Sequence, residues 1–473
     1  MPAFRLNTIF STGLALICLG LGSNGAEAQT LEEALISAYN NNPRLLAARA
    51  SLRELDETYV QARAQGRLTS NLAGTTNLNM SRTPALNIPV PGFDSFIESG
   101  TTWSTPISAQ VQIIQPVYQG GRVSALKSQA RLNILAAREG LRAQESELFL
   151  QLGQAYIDVI RDEETARIRR NNVRVLGRQR DAAESRFEVG AGTRTDLAQA
   201  DARLAGAQVA LAQADAQLQI SRSLYKQLAG HLPEELEPVP AFVIPESEDE
   251  AIRLARNNNP GLIASVYREQ AGDEAIRAAK SANKPRVTLN GSMSAVRGQA
   301  GFPDRAESMA IGAQLTIPLS TGGVNRSRVR AANEARTRLK FETRDLERQL
   351  DASIMQSWAA LDAAQTALIA SQVQIEAAEL AFEGVQLEQS LGTRTTLDVL
   401  NAEQEVLEAR LGLLNSRSNL EKATYQLLFL TGGFDAESLN LDTELYDPET
   451  HFDTVTEDLF SDVVDEIIPE DWR

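Results

Sequence analysis

The chain repeats itself, and the repeat limits what it can fold into. Glu33-Ala34-Leu35 leading to Asn40-Asn41-Asn42-Pro43 returns as Glu250-Ala251-Ile252 leading to Asn257-Asn258-Asn259-Pro260. Gln112-Ile113-Ile114-Gln115-Pro116 followed by Gly120-Gly121 returns as Gln314-Leu315-Thr316-Ile317-Pro318 followed by Gly322-Gly323. Gly192-Thr193-Arg194-Thr195 recurs unchanged as Gly392-Thr393-Arg394-Thr395. Self-similarity over about 200 residues, with the parts in the same order, describes one structural unit duplicated. The expected division is 29–230 for the first repeat, 231–247 for the joint, 248–432 for the second repeat and 433–473 for an acidic tail.

Each half reads as helix, strand, loop, strand, very long helix, break, helix. In residues 287–295 the odd positions are apolar or small and the even ones polar, and Met309, Ile311, Ala313, Leu315 and Ile317 continue that alternation. Ile107, Ala109, Val111 and Ile113 alternate with Ser108, Gln110 and Gln112 in the first half, and Leu68, Leu72 and Leu78 do so more weakly. A soluble sandwich also alternates. Strands of about ten residues, with an uncharged Asn/Gln/Ser/Thr face, fit instead a tilted membrane-spanning strand between lipid and a wet lumen. Pro116 and Pro318 fall where strands end, so their missing N–H costs little. Four strands cannot close a barrel, because the smallest membrane barrels use about eight. Several copies must therefore share one barrel; their number does not follow from this count.

No proline interrupts residues 123–187 or 324–389, and each stretch would extend about 100 Å as a helix. Their neighbours carry a 3.5-residue seam. Leu197, Ala200, Leu204, Ala207, Leu211, Ala214, Leu218, Ser221, Tyr225 and Leu228 recur in the same register from Leu397 to Leu428. That period imposes left-handed packing between helices. Many seam positions are Ala or Ser, which suits broad layers of closely packed helices. In the Gly-Thr-Arg-Thr breaks, glycine permits the reversal, threonine caps the outgoing helix, and Asp196 and Asp398 complement its dipole.

Composition excludes several chemistries. The sole cysteine is Cys18, and the histidines are His231 and His451, so no Cys/His metal site, no histidine triad and no cofactor is expected. Arg5, the apolar run 9–21 and Ala26-Glu27-Ala28 read as a cleavable signal over 1–28. Ile17 and Ala15 before Cys18 argue against a lipoprotein. Fourteen Asp/Glu and only Arg473 lie beyond residue 432, so most of the −16 net charge belongs to a tail read as a solvated extension, with an ordered piece at 459–464. Nothing points to nucleic acid.

Together with Phe187-Glu188-Val189-Gly190 and the run Leu391 to Leu400, these paired motifs resemble the TolC family of outer-membrane efflux and type I secretion proteins. The resemblance implies a coiled-coil α tunnel joined to a transmembrane β-barrel, with four strands per chain and twelve in a homotrimer. It places the tunnel in the periplasm and the barrel in outer-membrane lipid, with a belt formed by residues 233–245 and the C-terminal region. It makes the tips, with Gly190, Gly192, Thr193, Arg194, Gly392 and Thr393, the docking site of a periplasmic adaptor serving an inner-membrane ABC or proton-driven transporter. Arg394 and Asp398 match gating positions and Asp196 an acidic partner. Asn401 stands where many members have a second aspartate, and Gln389 where some have a tyrosine. The expected function is export, with protein secretion first and small-molecule efflux as the alternative. An adhesin stalk and a carboxylate hydrolase are the rival classes, the second lacking any nucleophile motif.

Overall fold

The computed structural model describes residues 29–84, 86–90, 93–97, 100–240, 242–298 and 305–457, with no side-chain description for 85–99. The expected signal at 1–28 and the ordered piece at 459–464 lie outside them. The first repeat runs α1 (Leu31–Asn41), α2 (Pro43–Ala64), β1 (Thr69–Thr76), β2 (Asn79–Thr83), β3 (Leu86–Val90), β4 (Phe93–Ile97), β5 (Gly100–Ser104), β6 (Ile107–Tyr118), α3 (Arg122–Glu188) and α4 (Arg194–Ala229). The second runs α5 (Glu248–Asn258), α6 (Pro260–Ser281), β7 (Arg286–Arg297), β8 (Arg305–Thr316), α7 (Val324–Ser390) and α8 (Thr396–Thr431), followed by α9 (Pro448–Glu457).

Two expectations need refinement. The opening helix of each half is a pair, divided at Asn-Pro. A residue before proline is driven to extended backbone, and Asn42 (φ −70°, ψ 120°) and Asn259 (φ −65°, ψ 115°) obey. Each asparagine uses its side chain twice. Asn42 Oδ1 accepts from the Arg44 N–H at 3.0 Å while Nδ2 donates to the Leu228 carbonyl at 2.9 Å. Asn259 accepts from Leu262 and donates to Leu430 in the same way. The first-half hairpin is also longer than expected, since β2–β5 and β3–β4 continue it as two further antiparallel ladders.

The central sheet has the order β1-β6-β7-β8, all antiparallel. Its register aligns Leu72, Val111, Met293 and Met309 in one cross-strand row, and Asn71, Gln112, Ser292 and Ala310 in the next. One face is thus apolar yet exposed, and the other is mainly polar. Pro116 lies inside β6, where it is accommodated by a register shift between Pro116 and Tyr118. Below the sheet the helices keep its order, α2–α3–α6–α7, and further down α4–α3–α8–α7. The seam is where the sequence puts it: Ala200, Ala207, Ala214, Leu218, Ser221, Tyr225 and Leu228 are all buried on α4.

The main core lies at the level where α1, α3, α4, α8 and the joint converge. Tyr156, Tyr225, Tyr425, Phe149 and Phe434 are at most 1 % exposed there. Tyr156 Oη donates to the Gln29 and Glu237 carbonyls, fastening the joint across α3. The reading of 433–473 as a solvated tail fails for 433–457. Phe434, Ala436 and Leu441 enter the core, Asp435 pairs with Arg142 at 2.8 Å, and the Ala436 N–H donates to Glu145 at 2.6 Å. Helix α9 then lies on α2, with His451 Nδ1 at 3.0 Å from the buried Asp56 and Phe452 against Tyr59. A few apolar residues at the right spacing outweigh a charge that the surrounding arginines neutralise locally.

Two predictions follow from this core. A Cβ at Gly153 would stand 2.7 Å from the Tyr425 ring, which Phe242 and Phe434 hold in place. Gly153→Ala is expected to cost about 1–3 kcal/mol, whereas Gly140→Ala on the same helix, with open space around it, should be neutral or gain up to about 1 kcal/mol. Denaturant unfolding of both variants distinguishes the sites. Burial, reinforced by Asp435 and opposed by the Ala436 N–H, Arg49 and Arg142, pushes Glu145 from 4.5 up to about 7. Its folded-state value lies above the unfolded one, so its ionisation removes stability as pH rises from about 4.5 to about 7. Glu145→Gln should flatten that slope in melting temperatures taken across this range, and an unchanged slope would assign it to other groups.

Candidate functional site

The tips of the two long hairpins carry the residues singled out in the sequence. Gly190 (φ +72°) and Gly392 (φ +80°) make the reversals in a backbone region that disfavours other residues. Thr193 and Thr395 then cap α4 and α8 in matching boxes. Each threonine hydroxyl accepts from the N–H of the third helical residue, and that aspartate, Asp196 or Asp398, accepts from the threonine N–H. These bonds hold both carboxyls below the usual range. The caps are therefore ionised at neutral pH and weaken only as pH falls through those lowered values.

Arg394 does not reach Asp196. Its Nε donates to Glu388 at 2.8 Å within its own hairpin, and both side chains are about half exposed. Gln389 is 3.4 Å from the Thr396 hydroxyl, also within that hairpin. Thr393 Oγ1 donates to the Glu388 carbonyl, so the second tip is tied to itself. Gly192 packs closely over Arg186, whereas Gly190 and Gly392 face open space. Thr193 and Arg194 are exposed at the first tip.

The bonds that join one hairpin to the other lie above the turns. Arg203 Nη2 on α4 donates to Asn401 Oδ1 on α8 at 2.7 Å, and Gln179 Nε2 on α3 donates to Glu403 on α8 at 2.5 Å. Burial raises the Glu403 carboxyl, and the Gln179 bond partly offsets this. Beside them Leu176, Ala207 and Leu400 form a small apolar cluster supported by Val173 and Leu204. Of the expected gate residues, only Asn401 bridges the hairpins. Arg203, Gln179 and Glu403 were missed, because a bond spanning about 200 residues leaves no mark in local periodicity.

Among the described residues no His/Cys/Asp/Glu group has metal-site geometry, and no helix is long and apolar enough to cross a membrane. An open-edged sheet with an exposed apolar face, continued by long helical layers, is the architecture of an outer-membrane channel subunit. The Outer membrane efflux protein family matches residues 34–231 and 251–433. The chain belongs to that family, the TolC family of outer-membrane channels, and works as a passive channel, not an enzyme. It is 31% identical over 442 residues to the outer membrane efflux protein BepC of Brucella suis biovar 1, covering 93% of both chains. It is 26% identical to the outer membrane protein TolC of Vibrio cholerae, over 86% of this chain and 92% of that one. To the alkaline protease secretion protein AprF of Pseudomonas aeruginosa it is 24% identical, over 65% and 66%. Its fold matches the crystal structure of the Campylobacter jejuni CmeC outer membrane channel with a TM-score of 0.74 at 14% identity, over 100% and 99% of the two chains.

Proposed function

We propose that three copies of this chain close one twelve-stranded barrel and one helical tunnel, forming a passive export duct that an inner-membrane transporter feeds through a periplasmic adaptor docked at the tips. The observation that carries this reading is a set of open edges on the same sides at every level. In the sheet β1 and β8 are the edge strands; in the upper helical layer the edges are α2 and α7, and in the lower one α4 and α7. Both edges of the lower layer carry exposed apolar residues at coiled-coil spacing. Ile369, Val373, Leu380 and Leu387 lie on α7, and Val209, Ile220 and Leu224 on α4. A neighbouring copy would bury these stripes against each other as it pairs β8 with β1.

For cargo, the efflux of small molecules is the leading reading. The relative that matches over 93% of its length is named an efflux protein. The acidic C-terminal segment is packed against the core and α2 as far as Glu457. The alkaline protease secretion relative supports protein export as the second reading.

In this duct the resting constriction is held by Arg203–Asn401 and Gln179–Glu403, with the Leu176–Ala207–Leu400 contact beside them. These polar bonds, the first exposed and the second part-buried, contribute about 1 kcal/mol each, little enough for adaptor binding to release. Arg394, tied to Glu388, stabilises the second tip and contributes less to holding the hairpins together. Single-channel conductance in planar bilayers tests the assignment. Arg203→Ala with Asn401→Ala should raise conductance severalfold, Arg394→Ala with Asp196→Ala should change it little, and the reverse order would return the gate to Arg394.

A further inference from the structure

The strands meet the helices at a single level. Gln115 Nε2 donates to the Gly66 carbonyl, Gln119 Nε2 to the Gln65 carbonyl, and Asn325 Nδ2 to the Ala282 carbonyl, at 3.0–3.2 Å. These bonds tie the end of α2 to the end of β6 and the turn into α3, and the end of α6 to the start of α7. Exposed apolar residues reach this level as Val117 and Tyr118 at the end of β6, Ile317 just beyond β8 and Val324 opening α7, each about half exposed.

Charge separates sharply at this level. The stretches 58–93, 99–138, 275–303 and 308–333 contain no Asp or Glu, in a chain with 62 acidic residues and a net charge of −16. The same stretches place Arg122, Lys280, Lys284, Arg326 and Arg328 around the junction, all exposed. The nearest carboxylates along α6, Asp273 and Glu274, lie further down and already pair with Arg336 and Arg277. A second feature is independent of composition. Helices α1, α4, α5 and α8 begin with acidic residues in their first turn, complementing the positive helix end. Helices α3 and α7 begin at this level with no side-chain cap and no acidic first turn, and with Arg122 and Arg326 set against the dipole. Positive side chains and positive helix ends thus converge on an exposed rim bordering an apolar belt. That combination suits phosphate monoanions held at the edge of a hydrocarbon layer.

We propose that this basic collar binds the phosphates of anionic glycerophospholipids in the leaflet facing the periplasm, fixing the depth at which the barrel sits. The proposal rests on the reading of the sheet as a barrel wall. Each basic group beside an anionic surface multiplies occupancy about fivefold, so neutralising several should remove most of the preference. The test uses the full chain, reconstituted in an equal mixture of phosphatidylglycerol and phosphatidylcholine and then extracted for native mass spectrometry of retained lipid, with bilayer conductance recorded in parallel. The wild type should retain phosphatidylglycerol over phosphatidylcholine by about tenfold or more and lose that preference in high salt. The Arg122→Gln/Lys284→Gln/Arg326→Gln/Arg328→Gln variant should conduct normally with a ratio near one, while Arg344→Gln/Arg348→Gln, lower on α7, should behave as wild type. Equal retention by the wild type, or a preference that survives in the quadruple variant, overturns the proposal. So does a variant that changes ion selectivity while keeping its lipid preference, which would turn the collar towards the lumen. Loss of conductance in the wild type itself would instead overturn the barrel-wall reading beneath it.

Discussion

The backbone hydrogen bond sets the terms for this molecule. In hydrocarbon every N–H and C=O must find a partner within the protein, and an unpaired group costs several kcal/mol. A sheet of order β1-β6-β7-β8 leaves one side of β1 and one side of β8 unpaired, and its exposed Leu72–Val111–Met293–Met309 row leaves hydrocarbon as the fitting neighbour. The single chain is therefore a stave, and the edge requirement extends downwards. Because β6 runs into α3 and β8 into α7, whatever completes the sheet also sets the neighbours of the helices. The apolar stripes on α4 and α7 answer the same demand with side chains where the strands answer it with backbone.

Duplication explains how one chain meets this demand at both ends. The two halves lie side by side with equivalent parts facing alike, so Asn42 and Asn259 stitch equivalent helix ends to Leu228 and Leu430. Small seam residues let the helices spread into layers instead of collapsing into a bundle. Rigidity is concentrated at the equator, where aromatic packing, the joint and the C-terminal segment lock together. The tips are left with short polar bonds and one small apolar contact. The proposed opening at the tips, with the wall left undisturbed, depends on this gradient.

The sequence made the periodic parts legible. The α4 seam was read residue by residue, because a 3.5-residue pattern of Ala, Leu and Tyr has no other stable use, and the strand alternation was equally direct. The split at Asn-Pro was readable in principle from the dipeptide, yet the helical periodicity on either side concealed it. The C-terminal segment was misread because its charge dominates any window, while its docking depends on Phe434, Ala436, Leu441 and a few arginines on α2 and α3 that lie close only in the fold. At the tips, local chemistry was visible and long-range chemistry was not. The Thr-Asp boxes follow from a four-residue motif, whereas Arg203–Asn401 depends on how two hairpins lean together.

The most direct test of the whole account is the mass of the conducting species. Native mass spectrometry of protein extracted from bilayers in which channel activity has been recorded should give three copies of the chain, and their dissociation should abolish conductance. A single chain that conducts in the bilayer would contradict it, because four strands would then have sealed their own edges.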